Sequence, residues 1–248
     1  MKSLIAKSSE LLAINNSFGE APVKIAVGKE CPESTVRYMI DRHPGDPFRE
    51  VADGGHFLLA AVVRNSNQYS LDFVKYVFNQ NPDAARVTKK GHYSTMTLHE
   101  ACQGSRSRPD VVRLVMDGFP GTLFERARDG DVPLYRLTQG GTSSVQDAEF
   151  RKTLAMVAFA NPKAIFVPFM HHRQDQPSTA FSIIYDEILD VGRFERIYPE
   201  LRESLWKCLY LLLNVYRFGN AVRESEAWQR PQHPVHMGTS FRTVLALL

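Results

Sequence analysis

Val36-Arg37-Tyr38-Met39-Ile40, Val74-Lys75-Tyr76-Val77-Phe78 and Val112-Arg113-Leu114-Val115-Met116 begin at equal intervals of 38 residues (74 − 36 = 38; 112 − 74 = 38). In each run the apolar side chains fall at neighbouring positions of a helix. Eight residues after each valine stands a proline: Pro44, Pro82 and Pro120. Proline lacks an amide N–H and drives the residue before it out of the helical region, so it closes the helix that precedes it. Leu154-Ala155-Met156-Val157 with Pro162 keeps the eight-residue interval after a slightly longer gap. The spacing predicts four outer helices of two to three turns, each stopped by its proline.

A second element recurs between these helices. Asp53-Gly54-Gly55-His56-Phe57-Leu58 and Asp129-Gly130-Asp131-Val132-Pro133-Leu134 lie two intervals apart (129 − 53 = 76). Asp-Gly supplies a tight turn, because glycine tolerates positive φ. Proline then suits the first turn of a helix, where its missing N–H is no loss. Gly19-Glu20-Ala21-Pro22-Val23 reads the same way, and Thr97-Leu98-His99-Glu100-Ala101-Cys102 is the corresponding inner helix of the middle unit. Small residues recur in these segments (Ala26, Ala60, Ala61, Ala101), as close packing of stacked inner helices requires.

Thr97-Leu98-His99-Glu100-Ala101 resembles the ankyrin segment Thr-Pro-Leu-His-x-Ala, with Thr97 where proline would stand. Asp129-Gly130-Asp131-Val132-Pro133-Leu134-Tyr135 resembles Asp-Gly-x-Thr-Pro-Leu-His, and Pro234-Val235-His236 is similar to a further copy. The resemblance covers roughly residues 17–175. It departs from the family in its period, about 38 against about 33. The endings Asn81-Pro82-Asp83-Ala84 and Asn161-Pro162-Lys163-Ala164 resemble those of divergent ankyrin-like arrays of unicellular eukaryotes. The implied fold is an all-α, ankyrin-like helical repeat solenoid. The expected array spans residues 1–192. Residues 193–248 are expected to form an aperiodic helical extension or cap that includes a degenerate repeat. Within it, Leu201 to Phe218 reads as an amphipathic helix with Leu205, Leu209, Leu212, Leu213 and Tyr216 on one face. Phe241 to Leu248 reads as one more outer helix.

The 248 residues are 44% hydrophobic and 23% charged, the composition of a folded protein. A net charge of +3 is too small to argue for nucleic acid or an anionic membrane surface. Met1 to Ile14 has no uninterrupted apolar core of a secretory signal. Leu205 to Val215, interrupted by Lys207 and Asn214, is about half the length needed to span a bilayer. Cys31, Cys102 and Cys208 are odd in number, far apart and without metal-ligand spacing, which suggests reduced thiols in the cytoplasm or nucleus.

No catalytic motif stands out. Gly140-Gly141-Thr142-Ser143-Ser144 lacks the lysine of a phosphate loop and reads as a surface connection. His171, His172 and Asp175 are too few for a zinc site, and His233 with His236 fares no better, so no metal and no cofactor is expected. Cys102 sits where an inner helix keeps a small core side chain. Ser105-Arg106-Ser107-Arg108-Pro109 reads as a loop ahead of an outer helix, with Asp110 at its N-terminus, or as a phosphorylation-sensitive segment. Lys89-Lys90-Gly91-His92-Tyr93 lies on the longest turn between units: Gly91 to Leu98 spans seven residues, against four for Gly54 to Leu58 and Gly130 to Leu134. Lys89, Lys90, His92 and Tyr93 are therefore the candidate partner contacts. The sequence points to a monomeric, non-catalytic module that binds a protein partner. One rival is an enzyme using His171, His172, Asp175, Asp186 or Glu187. Another is nucleic-acid binding through Lys89, Lys90, Arg106 and Arg108.

Overall fold

The computed structural model describes residues 9–17, 19–48, 58–85, 96–103, 107–127, 130–139, 147–169, 177–192 and 199–224, with backbone alone for 187–192, 199, 202 and 218–224. The described residues form ten α-helices joined by 3-10 turns. They contain no β-strand; one antiparallel bridge joins Phe169 and Ser178. The chain divides into two compact units, Met1–Gly130 and Asp131–Leu248. That division falls inside the stretch 1–192 that the repeat spacing groups together.

The first unit holds three helix pairs. They are α1 (Pro22–Gly28) with α2 (Glu33–Asp41), α3 (Leu58–Arg64) with α4 (Leu71–Gln80), and α5 (Thr97–Ala101) with α6 (Pro109–Gly118). Val36, Val74 and Val112 are each the fourth residue of their helices, and each is 0% exposed. The 38-residue interval thus marks one structural position used three times. The second unit pairs α7 (Pro133–Thr138) with α8 (Ala148–Ala160) and α9 (Ala180–Gly192) with α10 (Pro199–Glu224). Leu154 of α8 is buried like the valines.

The prolines act as their chemistry requires. Asn81 (φ −148°, ψ 74°), Phe119 (φ −143°, ψ 74°) and Asn161 (φ −139°, ψ 77°) precede Pro82, Pro120 and Pro162. All three have left the helical region in the same way, as the ring of a following proline demands. Each proline then opens a 3-10 turn: Pro82–Ala85, Pro120–Leu123 and Pro162–Phe166. Pro44 follows α2 without such a turn. The inner helices share an entry as well. Ala21, Met96 and Val132 are extended, and Pro22, Thr97 and Pro133 take the first helical position. Thr97 stands in the proline position and uses its hydroxyl, which donates to the Ala84 carbonyl at 3.2 Å.

Within each unit a helix packs on its hairpin partner and on its counterpart in the neighbouring pair. In the first unit α1 packs on α3, α3 on α5, and α4 on α6; in the second, α7 packs on α9 and α8 on α10. Polar bonds between neighbouring pairs span about one repeat. The Ser70 N–H donates to Glu33 (2.9 Å) and the Tyr69 hydroxyl to the Cys31 carbonyl (3.3 Å). The Asn81 amide donates to Phe48 O (2.8 Å). Arg108 donates to Ser66 O (2.8 Å) and Tyr69 O (2.7 Å), and also grips Asp110. The Arg37 guanidinium lies 4.8 Å from the Phe73 ring centre, a cation–π contact between α2 and α4. Gly118 marks a close approach of α6 to α4: a Cβ there would lie 2.5 Å from the Phe78 ring.

The longest helix, α10, begins and ends beyond the expected bounds. Leu205, Leu209 and Leu212 are buried with Cys208, Leu211 and Val215, but Leu213 and Tyr216 are exposed. Among the described residues no helix is long and apolar enough to cross a membrane.

Leu98 and Leu134 are fully buried at matching places in α5 and α7. Leu98→Ala and Leu134→Ala should each cost about 2–5 kcal/mol in urea unfolding. Gly118→Ala should destabilise against its better helix propensity, whereas a Cβ at Gly28 meets nothing within 4 Å. Gly28→Ala should therefore stabilise by about 0.5–1 kcal/mol; equal effects at the two glycines would contradict the packing.

Glu33 offers a test of the bonds between pairs. Burial alone would raise its carboxyl, but the Ser70 N–H and Arg37 outweigh burial and hold it below its ordinary value of 4.5. A lowered folded pKa stabilises fully above the unfolded value and is lost as pH falls through the folded one. Glu33→Gln should thus lower the unfolding midpoint at neutral pH, and the two proteins should converge in acid. A constant gap across that range would show that the Glu33 charge is irrelevant.

Candidate functional site

In the first unit, α1 and α3 with Glu100 of α5 line an open groove of about 580 Å³. Its floor is built from Gly28, Ala60 and Ala61. Small side chains keep it open, and Gly28 contributes none. Its edge is charged: Glu20, Glu30 and Glu100 face Lys24, Lys29 and Arg64. Three acids balance three bases, so the groove has no net charge but strong local polarity.

One ion pair ties the inner helices together there. Arg64 ends α3, and its Nε and Nη2 donate to the two Glu100 carboxylate oxygens at 2.6 and 2.7 Å. The Glu100 side chain is 4% exposed and that of Arg64 44%. A carboxylate buried this far needs charged donors, and the two-pronged guanidinium supplies them in matching geometry. The same hydrogen bonds hold the Arg64 pKa above its usual value, against the opposing effect of burial. A cation at the end of α3 also suits the negative end of the helix dipole. At the opposite edge, Lys24 pairs with Glu20 at 3.4 Å one turn earlier.

The exit of α1 borders the groove and is strained. Cys31 N–H donates to Ala26 O and Glu30 N–H to Val27 O, both at 3.0 Å. This is the Schellman pattern, whose left-handed residue is usually glycine. Here it is Glu30, at φ 56°. A side chain in that region costs about 1–2 kcal/mol, while the nearby Gly28 sits inside the helix, where it too is unfavourable. Two locally costly choices within three residues therefore line the same groove. Strain of this kind concentrates at functional sites.

The second unit holds its own buried charge. Asp131, 1% exposed, pairs with Arg136 of α7. Beside it the Tyr135 and Phe169 rings pack with centroids 4.3 Å apart.

The sequence-derived contacts Lys89, Lys90, His92 and Tyr93 fall in 86–95, outside the described residues. So do Arg106, His171, His172, Asp175, His233, His236 and the 140–146 loop. Asp186 lies exposed on α9, and Glu187 follows it in the same helix. Arg108 is held by the Ser66 and Tyr69 carbonyls, a structural task. Burial pushes the Cys102 thiol up, and lifts that of Cys208 to about 12. Among the described residues no cluster of His, Cys, Asp and Glu is built to hold a metal. Ala60 and Ala61, expected between packed inner helices, are partly buried on α3, which packs on α1 and α5, and they also line the groove. Sequence reasoning did not single out Arg64 or Glu100. The available signal was the acidic residue inside the Thr-Leu-His-Glu-Ala segment with a basic residue 36 positions earlier.

No protein-family model and no curated protein matches the sequence. The chain is similar in structure to a chain of a solved complex, the predatory endopeptidase Bd0816 from Bdellovibrio bacteriovorus with immunity protein Bd3460. The TM-score is 0.54 at 12% identity, over 83% of this chain and 90% of that one. At that identity the likeness is one of fold.

Removing Arg64 while keeping its apolar stem leaves the Glu100 carboxylate without its guanidinium. Arg64→Met should cost about 1–3 kcal/mol. The double variant Arg64→Met/Glu100→Met should cost clearly less than the sum of the two single changes; strictly additive costs would mean that the pair is not coupled.

Proposed function

We propose that this chain is a non-catalytic, ankyrin-like repeat module that binds a protein partner across the inner-helix groove of its first unit. The observation behind this reading is a division of labour between faces. In the first unit the apolar side chains of α1 to α6 are largely consumed in stacking one pair on the next. The groove between α1 and α3 is lined by small residues and by six charged ones, of which Glu100 is buried against Arg64 and Glu30 is strained. A rigid stack presents such a surface with little ordering cost on binding. Balanced, alternating charge suits a polar protein surface better than the uniformly negative backbone of a nucleic acid.

The turn residues Lys89, Lys90, His92 and Tyr93 extend this proposal. In sequence they join the 3-10 turn Pro82–Ala85 to α5, the helix that bears Glu100. The solved complex with the similar fold pairs an endopeptidase with an immunity protein, which is in keeping with a protein partner. The raised thiols of Cys102 and Cys208 do not favour a cysteine nucleophile. Free cysteines fit a reducing compartment, the cytoplasm or nucleus.

Gly28→Arg tests the groove directly, because the added side chain enters open space and leaves the core untouched. Affinity capture from source lysate, quantified by mass spectrometry, should lose the main partner about tenfold or more with an unchanged melting temperature. Capture at parental level by folded Gly28→Arg would place the contact elsewhere. In that case, Lys89→Glu with Lys90→Glu, and Tyr93→Ala separately, should show slowed association and faster dissociation respectively.

A further inference from the structure

The outward face of α10 presents Glu203, Trp206, Tyr210, Leu213 and Arg217, all exposed, at spacings of three, four, three and four residues. That is the a/d spacing of a helix that packs lengthwise on another helix. The middle three are large and apolar, 37%, 61% and 40% exposed. They are distinct from the seam that already packs. Leu205, Cys208, Leu209, Leu212 and Val215 are buried, and α10 lies against α8 and α9. Trp206 and Tyr210 lean on each other with ring centroids 6.2 Å apart, so the aromatic surface is already ordered. Exposed Trp and Tyr in a continuous row mark association surfaces.

The ends of this seam say what fits it. Glu203 stands at one end and Arg217 at the other, each seven residues from Tyr210. A second α10 laid antiparallel about Tyr210 sets Glu203 of each copy against Arg217 of the other. A parallel copy sets like charges together. Glu203 also binds Lys207 on its own helix at 2.7 Å through one carboxylate oxygen, so in an antiparallel pair its carboxylate is shared between Lys207 and the Arg217 of the second copy. The seam is therefore complementary to itself in one orientation.

We propose that α10 is the contact of a symmetric, antiparallel dimer of this chain. A twofold axis through Tyr210 satisfies both ends of the seam at once. The fourteen helical steps from Glu203 to Arg217 span about 21 Å. One helix seam of that length falls below the roughly 1,000 Å² of a tight interface, so the dimer dissociates on dilution. The proposed dimer departs from the monomer expected from the sequence, and it stands apart from the groove of the first unit.

Sedimentation velocity on the full chain over a wide concentration series tests it. The mass should rise from 28.1 kDa toward twice that value with concentration. Tyr210→Glu should hold it at the monomer with unchanged melting, since Tyr210 is the most exposed member of the row. Glu203→Arg and Arg217→Glu should each weaken the dimer about tenfold or more, and together they should restore it. A monomer at every concentration overturns the proposal, whether another partner or residues 225–248 take the seam. So does a dimer indifferent to Tyr210→Glu, or a charge exchange that fails to restore association.

Discussion

Burial of an apolar stripe on one neighbour is the constraint behind the architecture. The inner helices of the first unit run from five to seven residues and the outer ones from nine to ten. Helices of that length do not persist alone in water. Each must place its apolar stripe on a partner, and one partner covers only part of it. The hairpin partner takes one side and the neighbouring pair takes another. Val36, Val74 and Val112 are fully buried at one repeated position because this arrangement is made three times. Gly118 shows how close the contact is, since the Phe78 ring fills the space a methyl group would need.

Nearest-neighbour packing has a polar counterpart. Ser70 with Glu33, Tyr69 with Cys31, Asn81 with Phe48, Arg108 with Ser66 and Arg64 with Glu100 are all separated by 33 to 42 residues. Loop and helix-end groups that would otherwise go unsatisfied are thus met by the adjacent repeat. The same economy explains the groove. Once stacking has consumed the apolar faces, the remaining inner-helix surface is free to be small and charged. The Arg64–Glu100 pair closes one side of it, and the Schellman exit with Glu30 in a left-handed conformation borders another. A fold selected for stability alone would put glycine at position 30 and a side chain at 28. The reversed choice suggests that the shape of this surface matters more than about a kilocalorie of stability.

Regularity decided what the sequence revealed. The eight-residue spacing from Val36, Val74, Val112 and Leu154 to a proline located four outer helices because a proline stop and an apolar stripe are local signals. Thr97 in the place of proline was legible from the resemblance of Thr97-Leu98-His99-Glu100-Ala101 to the ankyrin segment, and Thr97 and Pro133 both open their helices. The groove was harder to see. Arg64 and Glu100 belong to different repeats, and their pairing emerges only when two inner helices are set side by side. Ala60 and Ala61 look alike as packing residues and as groove floor, since small size serves both. On α10 two apolar seams share one helix, and sequence periodicity merged them by assigning Leu213 to the buried face; Tyr216, though partly exposed, does pack its ring on Phe166. Only the neighbours of α10 separate the seam that packs from the one that faces outward.

The first unit is held by contacts within a helix pair and between adjacent pairs. Methyl NOE spectroscopy of the full chain, with valine and leucine methyls labelled, measures these contacts most directly. Cross-peaks are expected between packed neighbours, such as the methyls of α3 with those of α1, α4 and α5. None is expected between Val36 and Val112, which lie two helix pairs apart. A cross-peak between Val36 and Val112, or the absence of contacts between α3 and α5, would contradict this packing.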